Sequence, residues 1–166
     1  MMRLLNLSER ETNKMLKPAL LLFAITSLCA AQGPPATYKS SAELVALAKA
    51  KLKDTPEMGV AGVETKGGYH INVVSRNKPG PAGMHATGPA KGTELHYILD
   101  GSATVVTGGK VVRPANGSSY IEGGVEQHVT KGDIIVIQPN SPHWYKQVDG
   151  SVTYLEVRFD VENAGK

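Results

Sequence analysis

The spacing of hydrophobic residues changes along the chain, from a helical period to short β-rich runs. Ser40 and Glu43 have the spacing of a helix capping box, and the apolar residues that follow recur every three or four positions: Leu44, Leu47, Ala48 and Leu52. This pattern predicts one short amphipathic helix. Pro56 and Gly59 are predicted to end it, because both residues interrupt helical periodicity.

From Gly67 onward, short β-rich runs alternate with Gly, Pro, Asn and Asp. Eight of these runs are predicted strands: 69–75, 94–99, 103–107, 110–113, 127–130, 133–137, 143–147 and 152–159. Four dipeptides tolerant of positive φ predict hairpins between them: Asp100-Gly101, Gly108-Gly109, Lys131-Gly132 and Asp149-Gly150. Residues 116–124 are polar and predict a loop. The pattern is typical of a closed barrel or a two-sheet jelly roll.

The first 31 residues have the pattern of a secretory signal. Lys14 and Lys17 precede an apolar run over 18–30, and small residues then lead to Gln32. The run is shorter than the roughly 20 residues that a membrane-spanning helix needs. A buried core helix is the alternative interpretation. We therefore expect a secreted or periplasmic protein with three segments: a signal peptide at 1–31, an N-terminal extension with the helix at 32–66, and a barrel at 67–160.

Composition fits one globular domain, with 41% hydrophobic and 20% charged residues. The formal charge of +3 comes from 18 basic and 15 acidic residues, of which four and two lie before Gln32. The remaining 14 basic and 13 acidic residues are nearly balanced, so no basic block is available to neutralise phosphates. We expect no nucleic-acid partner, and no membrane association after signal cleavage.

Cys29 is the single cysteine, and it lies within the predicted signal. Leu28 precedes it where a lipoprotein signal would have a small residue, which disfavours a lipid anchor. The mature chain would then lack disulfides, thiolate ligands and thiol nucleophiles. His, Asp, Glu, Tyr and Ser remain for any chemistry, and neither a Gly-x-Ser-x-Gly elbow nor a phosphate-binding glycine loop is present.

Strand alternation places a carboxylate and an imidazole together. Glu94, His96 and Ile98 share one face of their predicted strand, and Tyr97 lies on the other. Both faces carry apolar residues, so alternation does not decide which one is interior. A solvent-exposed polar face is the alternative to a buried site.

The later strands carry a motif that resembles the second conserved motif of the cupin family. Gly132 is followed after five residues by Gln138, then by Asn140 and His143. Gln138 replaces the usual Pro, Asn140 replaces the usual Gly, and Gln147 replaces the final Asn. Asn tolerates positive φ, so the exchange for Gly is mild.

Glu94 and Gly101, separated by six residues, resemble the end of the first cupin motif. The resemblance covers residues 69–159 and is closest to small single-domain cupins, the RmlC-like or cupin type-2 barrels. It implies an all-β fold: a cupin β-barrel, or double-stranded β-helix of the jelly-roll type, with the short helix before it. In that family the Glu is commonly a metal ligand.

The resemblance also implies a ligand set, although the family's His-x-His before the Glu is missing. His85 lies nine residues before Glu94, and His96 lies two residues after it on the same face. His85, His96 and His143, with Glu94 as fourth ligand or close neighbour, would bind Fe, Mn, Ni, Cu or Zn. Two other histidines match no motif position and are predicted to be exposed: His70 and His128.

Tyr145 is the candidate catalytic residue, as a proton donor or a substrate contact. It shares a predicted strand face with His143 and Gln147, and a buried aromatic that fills the barrel is its alternative role. Trp144 lies on the opposite face and predicts contact with the outer sheet or a partner, which together with apolar surface strands favours a homodimer.

Two functions follow, and the first is slightly favoured by analogy with the family. The first is an exported metal-dependent oxidoreductase, dioxygenase-like, acting on a small organic molecule. The second is a non-enzymatic binding protein for a sugar or another small molecule. Whether the protein is an enzyme therefore stays open at this point.

We expect export to leave a mature N-terminus near Gln32, because Ala31 ends the small-residue section of the signal. Intact-mass spectrometry of the native protein measures this. A cytosolic protein that retains Met1 or Met15 would contradict the prediction.

Overall fold

A computed structural model describes residues 36–82 and 92–159. They form one helix and eight strands: α1 (Ser41–Lys51), β1 (Met58–Lys66), β2 (Tyr69–Arg76), β3 (Thr93–Thr107), β4 (Lys110–Val112), β5 (Tyr120–Glu122), β6 (Val125–Thr130), β7 (Ile134–Ile137) and β8 (His143–Phe159). This confirms the predicted all-β jelly-roll class with one short N-terminal helix.

The described residues from Thr37 onward belong to one compact unit. The predicted signal peptide, residues 1–31, lies outside the described residues. Within the described ranges, no helix has the length and apolar character needed to cross a membrane.

Helix α1 begins as its sequence predicts. The Ser40 backbone N–H donates to the Glu43 carboxylate at 2.7 Å, and the Glu43 N–H donates to Ser40 Oγ at 3.3 Å. This reciprocal pair satisfies two N–H groups that a helix start leaves unpaired. The buried face of α1 packs on β1, β2 and β3 through one apolar cluster: Leu44, Ala48, Ala61, Val73 and Leu99.

The main sheet has the strand order β1-β2-β8-β3-β6, and β7 also pairs with β3. All of these pairings are antiparallel, and β4 and β5 form a separate two-stranded sheet. The longest ladder joins β3 and β8, from Thr93 opposite Phe159 to Thr107 opposite His143. These two central strands provide most of the residues discussed below.

None of the four predicted hairpins forms, and two of the predicted turns do not even end a strand. Asp100-Gly101 lies inside the continuous strand β3, and Asp149-Gly150 lies inside β8. Both glycines have positive φ, 78° and 74°. A positive-φ glycine at an irregularity can bend a strand without reversing it, which dipeptide composition does not distinguish from a hairpin.

The two bends lie opposite one another in the ladder. Gly101 pairs with Val152 and Ala103 pairs with Val148, so residues 149–151 of β8 face a single residue of β3. The ladder therefore carries a large bulge at this point. Bulges of this kind increase local bending and twist.

The other two predicted turns do separate consecutive strands, with positive φ at Gly108, Gly109 and Gly132. They are not hairpins, because β4 pairs with β5, and β6 and β7 each pair with β3.

Two strands were not predicted from the sequence. Strand β1 is glycine-containing and weakly β-forming in pattern, and β5 lies inside the predicted loop 116–124.

The interior of the barrel is apolar with two buried tyrosines. Its cluster comprises Val74, Ile98, Ala103, Val105, Val129, Ile135, Ile137, Tyr145, Val152 and Tyr154. Trp144 belongs to another cluster with Val106 and Ile121, and its indole N–H donates to the Gly80 carbonyl at 2.7 Å. Trp144 thus packs within its own chain, and it supplies no argument for a dimer.

We expect Gly101→Ala to destabilise the protein far more than Gly150→Ala. Both changes put alanine at positive φ, which costs about 1–2 kcal/mol. Only at Gly101 would the new Cβ lie 1.9 Å from a backbone atom, the Ser151 carbonyl oxygen, whereas Gly150 has open space. The clash should add roughly 2 kcal/mol or more.

Urea denaturation of both variants measures the free energy of unfolding. Equal losses would show that the close approach of the two bends does not contribute to stability.

Candidate metal centre

Strand β3 turns its Glu94 face into the barrel. Glu94 and His96 are each 1% exposed and Ile98 is fully buried, whereas Tyr97 on the other face is 40% exposed. The alternative of a solvent-exposed polar face is therefore wrong. A buried carboxylate and imidazole need polar partners or a cation, because their desolvation is costly.

His143 begins β8, at the turn that the motif predicts. Asn140, which stands at the family's glycine position, has a φ of 64° and is the sole non-glycine residue with positive φ in the described ranges. The His143 ring lies edge-on to the His96 ring at 5.8 Å between centroids. One ligand atom from each of Glu94, His96 and His143 lies within 4.8 Å of the others.

His96 connects the carboxylate to a phenol. Its Nε2 lies 2.5 Å from Glu94 Oε1, and its Nδ1 lies 3.0 Å from the Tyr145 hydroxyl. A neutral imidazole has one donor and one acceptor nitrogen. With Nε2–H donating to the carboxylate, Nδ1 accepts from the Tyr145 hydroxyl.

Burial keeps both partners of that second bond uncharged. It lowers the pKa of His96 to about 4, although the nearby Glu156 carboxylate opposes the shift. Burial also raises the pKa of Tyr145 well above its ordinary value. The imidazole is therefore in the neutral form that binds metals, and Tyr145 keeps its proton and is not a phenolate nucleophile.

Charged groups surround the carboxylate. Arg158 Nε lies 3.4 Å from Glu94 Oε2 and 3.4 Å from Glu156 Oε1, so one guanidinium lies between two carboxylates. Asn72 Nδ2 donates to Glu156 at 3.0 Å. The register explains this cluster, because Glu94 pairs with Arg158, and His96 pairs with Glu156.

A stack of rings holds His96 in place. The Tyr154 ring lies 4.5 Å from the His96 ring and 4.8 Å from the Tyr145 ring, nearly parallel to the latter at 9°. Arg76 Nε donates to the Tyr154 hydroxyl at 3.0 Å, and its guanidinium lies over the Tyr145 ring at 5.1 Å. Such packing restricts the rotamers of both tyrosines and hence the orientation of the imidazole.

The three clustered residues fit a divalent transition metal. Two imidazole nitrogens and a carboxylate oxygen are donors that Fe, Mn, Ni, Cu and Zn accept. Two atoms that each lie about 2.1 Å from one cation are at most about 4.2 Å apart, so a 4.8 Å spacing requires shifts of less than about 1 Å. A cation held by Glu94 and His96 would replace the proton that now lies between them.

The structure brings together most of the predicted site. Glu94, His96 and His143 cluster, and Tyr145 adjoins His96. His85 lies outside the described residues. His70 and His128 are exposed, as predicted. The Nδ1 of His70 lies 3.3 Å from Thr65 Oγ1, and the Nδ1 of His128 lies 3.8 Å from Asp149 Oδ2.

Gln147 does not line the cavity, contrary to its predicted face. It is exposed and donates to Asp149 at 2.8 Å. The register shifts between Thr104 opposite Gln147 and Val105 opposite Tyr145, so strand alternation breaks between Tyr145 and Gln147. A bulge of this kind has no fixed sequence signal.

Four residues near the site were not predicted: Arg76, Tyr154, Glu156 and Arg158. Three of them alternate along β8, and this period was visible in the sequence. It could not show which face of the strand is interior. That choice depends on the pairing of β8 with β2 and β3.

The sequence-family model of the AraC-like ligand binding domain matches residues 83–165. This range is half of the chain and includes Glu94, His96 and His143. The protein belongs to this family of cupin-type domains. The predicted cupin relationship is therefore confirmed. A search among curated proteins found no match.

Solved structures share parts of this cupin fold at low identity. KdgF from Halomonas sp. is 12% identical, with 63% of this chain and 80% of that chain covered and a TM-score of 0.48. The DMSP lyase DddQ from Ruegeria pomeroyi DSS-3 is 17% identical over 68% and 52%, with a TM-score of 0.48. An RmlC-like cupin from Desulfovibrio desulfuricans is 14% identical over 64% and 86%, with a TM-score of 0.46.

We expect His143→Ala and His96→Ala each to reduce metal affinity by more than the roughly 10–100-fold that loss of a group supporting a ligand costs. Each change removes one of three clustered donors. His128→Ala is the matched control, since that histidine is exposed and matches neither cupin motif. Calorimetric titration with Zn²⁺ and Mn²⁺ measures the affinities.

A His96→Ala variant that keeps full affinity while Glu94→Ala loses it would exclude His96 as a ligand. Unchanged binding in all of these variants would exclude the centre.

Proposed function

We propose that this cupin binds a divalent transition metal on Glu94, His96 and His143 and is a dioxygenase-like oxidoreductase for a small organic molecule. The observation that carries the proposal is the arrangement of two imidazoles and one carboxylate within 4.8 Å, with Glu94 and His96 buried and His143 half-buried. Two histidines and a carboxylate are the ligand set of non-haem iron oxygenases. A bound ion of this type would activate oxygen or polarise a substrate group.

Three protein ligands leave coordination positions for other molecules. This is the difference between a reactive metal site and a closed structural one. His85 remains a predicted fourth ligand, and it would reduce the number of open positions by one. The reaction type therefore depends on His85 as well as on the metal.

Tyr145 would determine which nitrogen of His96 carries the proton. When Nε2 binds the metal, Nδ1 must carry the proton and donate it to the Tyr145 hydroxyl oxygen, which is 3.0 Å away. Tyr145 would thereby orient the imidazole. Its predicted catalytic role, as a proton donor or substrate contact, stays a prediction.

The second candidate function is non-enzymatic binding of a sugar or another small molecule. The description of the matching family, a ligand-binding domain, favours it. In this reading a metal would be structural or absent, and the barrel interior would still bind the ligand. The two functions differ in whether bound metal consumes oxygen.

We also propose that the protein is exported, secreted or periplasmic, on the strength of the signal pattern over residues 1–31. A homodimer stays a prediction. Its best support is now the outer face of β3 and β7, where Tyr97, Ile134 and Val136 are 40%, 62% and 48% exposed.

Elemental analysis of protein purified without added metal tests the proposed function. We expect about one redox-active metal per chain, and oxygen consumption with members of a panel of small organic acids, alcohols and sugars. His143→Ala should lose both metal and oxygen consumption, and His128→Ala should keep both. A metal-free barrel that still binds a panel member would support the binding function instead.

A further inference from the structure

Arg76 is a partly buried cation with uncharged neighbours. It ends β2, and its Nε donates to the Tyr154 hydroxyl at 3.0 Å. Its guanidinium lies 5.1 Å from the centre of the Tyr145 ring. A hydroxyl and an aromatic face stabilise a guanidinium only in part, because neither carries a compensating charge.

Arg158 shows the contrast within the same barrel. Its Nε lies 3.4 Å from a carboxylate oxygen of Glu94 and 3.4 Å from one of Glu156. Across residues 36–82 and 92–159, no carboxylate oxygen lies within 4.0 Å of the Arg76 side chain. Glu156 acts on Arg76 only at longer range.

The loop after β2 leaves room for the guanidinium. A Cβ added at Gly80 would lie 2.8 Å from Arg76 Nη1, so the guanidinium occupies its present position because Gly80 has no side chain. The Gly80 carbonyl is in turn bound by the Trp144 indole N–H at 2.7 Å. Trp144 thus fixes the backbone that passes beside Arg76.

We infer that Arg76 binds the carboxylate of a small organic acid, with the acid's other end at the Glu94, His96 and His143 cluster. A guanidinium has five N–H donors in a planar fork that matches a carboxylate, and only Nε–H is occupied by a described residue. The bound anion would supply the opposite charge that the described residues around Arg76 lack.

The position of Arg76 suits a ligand that reaches the cluster. The Tyr145 ring lies beneath its guanidinium, and the Tyr145 hydroxyl lies 3.0 Å from His96 Nδ1. The side chain of Tyr145 alone therefore separates the Arg76 guanidinium from His96, and a small molecule can bridge this distance.

Charge balance favours the same class of ligand. The carboxylates of Glu94 and Glu156 both lie 3.4 Å from Arg158, and neither lies at this range from Arg76. A divalent cation would add positive charge to this enclosed group, which an acid would offset and a neutral sugar would not. This step rests on the proposed metal-binding function, whereas the unpaired charge of Arg76 does not.

Calorimetric titration of the full-length protein tests the inference, with and without Zn²⁺ loaded to a measured content. The probes are three acid and amide pairs of matched shape: acetate and acetamide, succinate and succinamide, benzoate and benzamide. We expect at least one acid to bind at least about tenfold more tightly than its amide. Arg76→Gln should remove this preference, and Arg76→Lys should keep part of it because the charge remains.

Arg113→Gln is the matched control, since Arg113 is exposed and should not affect the preference. Circular dichroism and thermal melting confirm that each variant is folded. If Arg76→Gln fails to fold, the partial preference of Arg76→Lys decides the question.

Equal binding of every acid and its amide, or an unchanged preference in Arg76→Gln, would overturn the inference even if the protein holds its metal. An Arg76-dependent acid preference in a protein that binds no Zn²⁺ would instead support the carboxylate site and refute the proposed metal function.

Discussion

The folded ladder between β3 and β8 is the constraint on which the site depends. Glu94 lies near one end of this ladder and His143 at the other, opposite Thr107. The 13 residue steps from Glu94 to Thr107 would extend about 40 Å in a straight strand. The ligand atoms of Glu94 and His143 are nevertheless within 4.8 Å, so the ladder must turn back on itself.

The opposed bends at Gly101 and at residues 149–151 lie between the two ends. They divide the ladder into two layers whose inner faces meet. Tyr145 and Tyr154, both on β8, show the result directly, because their rings stack at 4.8 Å although nine positions separate them. The chemistry of the site thus follows from a backbone irregularity that carries no reactive group.

The sequence predicted what local rules govern. A capping box starts α1, alternation places Glu94 with His96, and the motif turn at Asn140 has the expected positive φ. It also placed His143 and Tyr145 correctly on one strand. The sequence could not predict the interior orientation of Glu94, the partners Arg158 and Glu156, or the ring stack. Each of these depends on which strands pair and where the long ladder bends, and such features are set by packing between distant segments.

The clustered residues also lie close to the ends of their strands, with Glu94 second in β3 and His143 first in β8. Strand ends are where local opening costs least free energy. A cation bound to both Glu94 and His143 would hold these two strand ends together. Its loss would then weaken the strand pairing at these two ends before it affects the bent middle of the ladder.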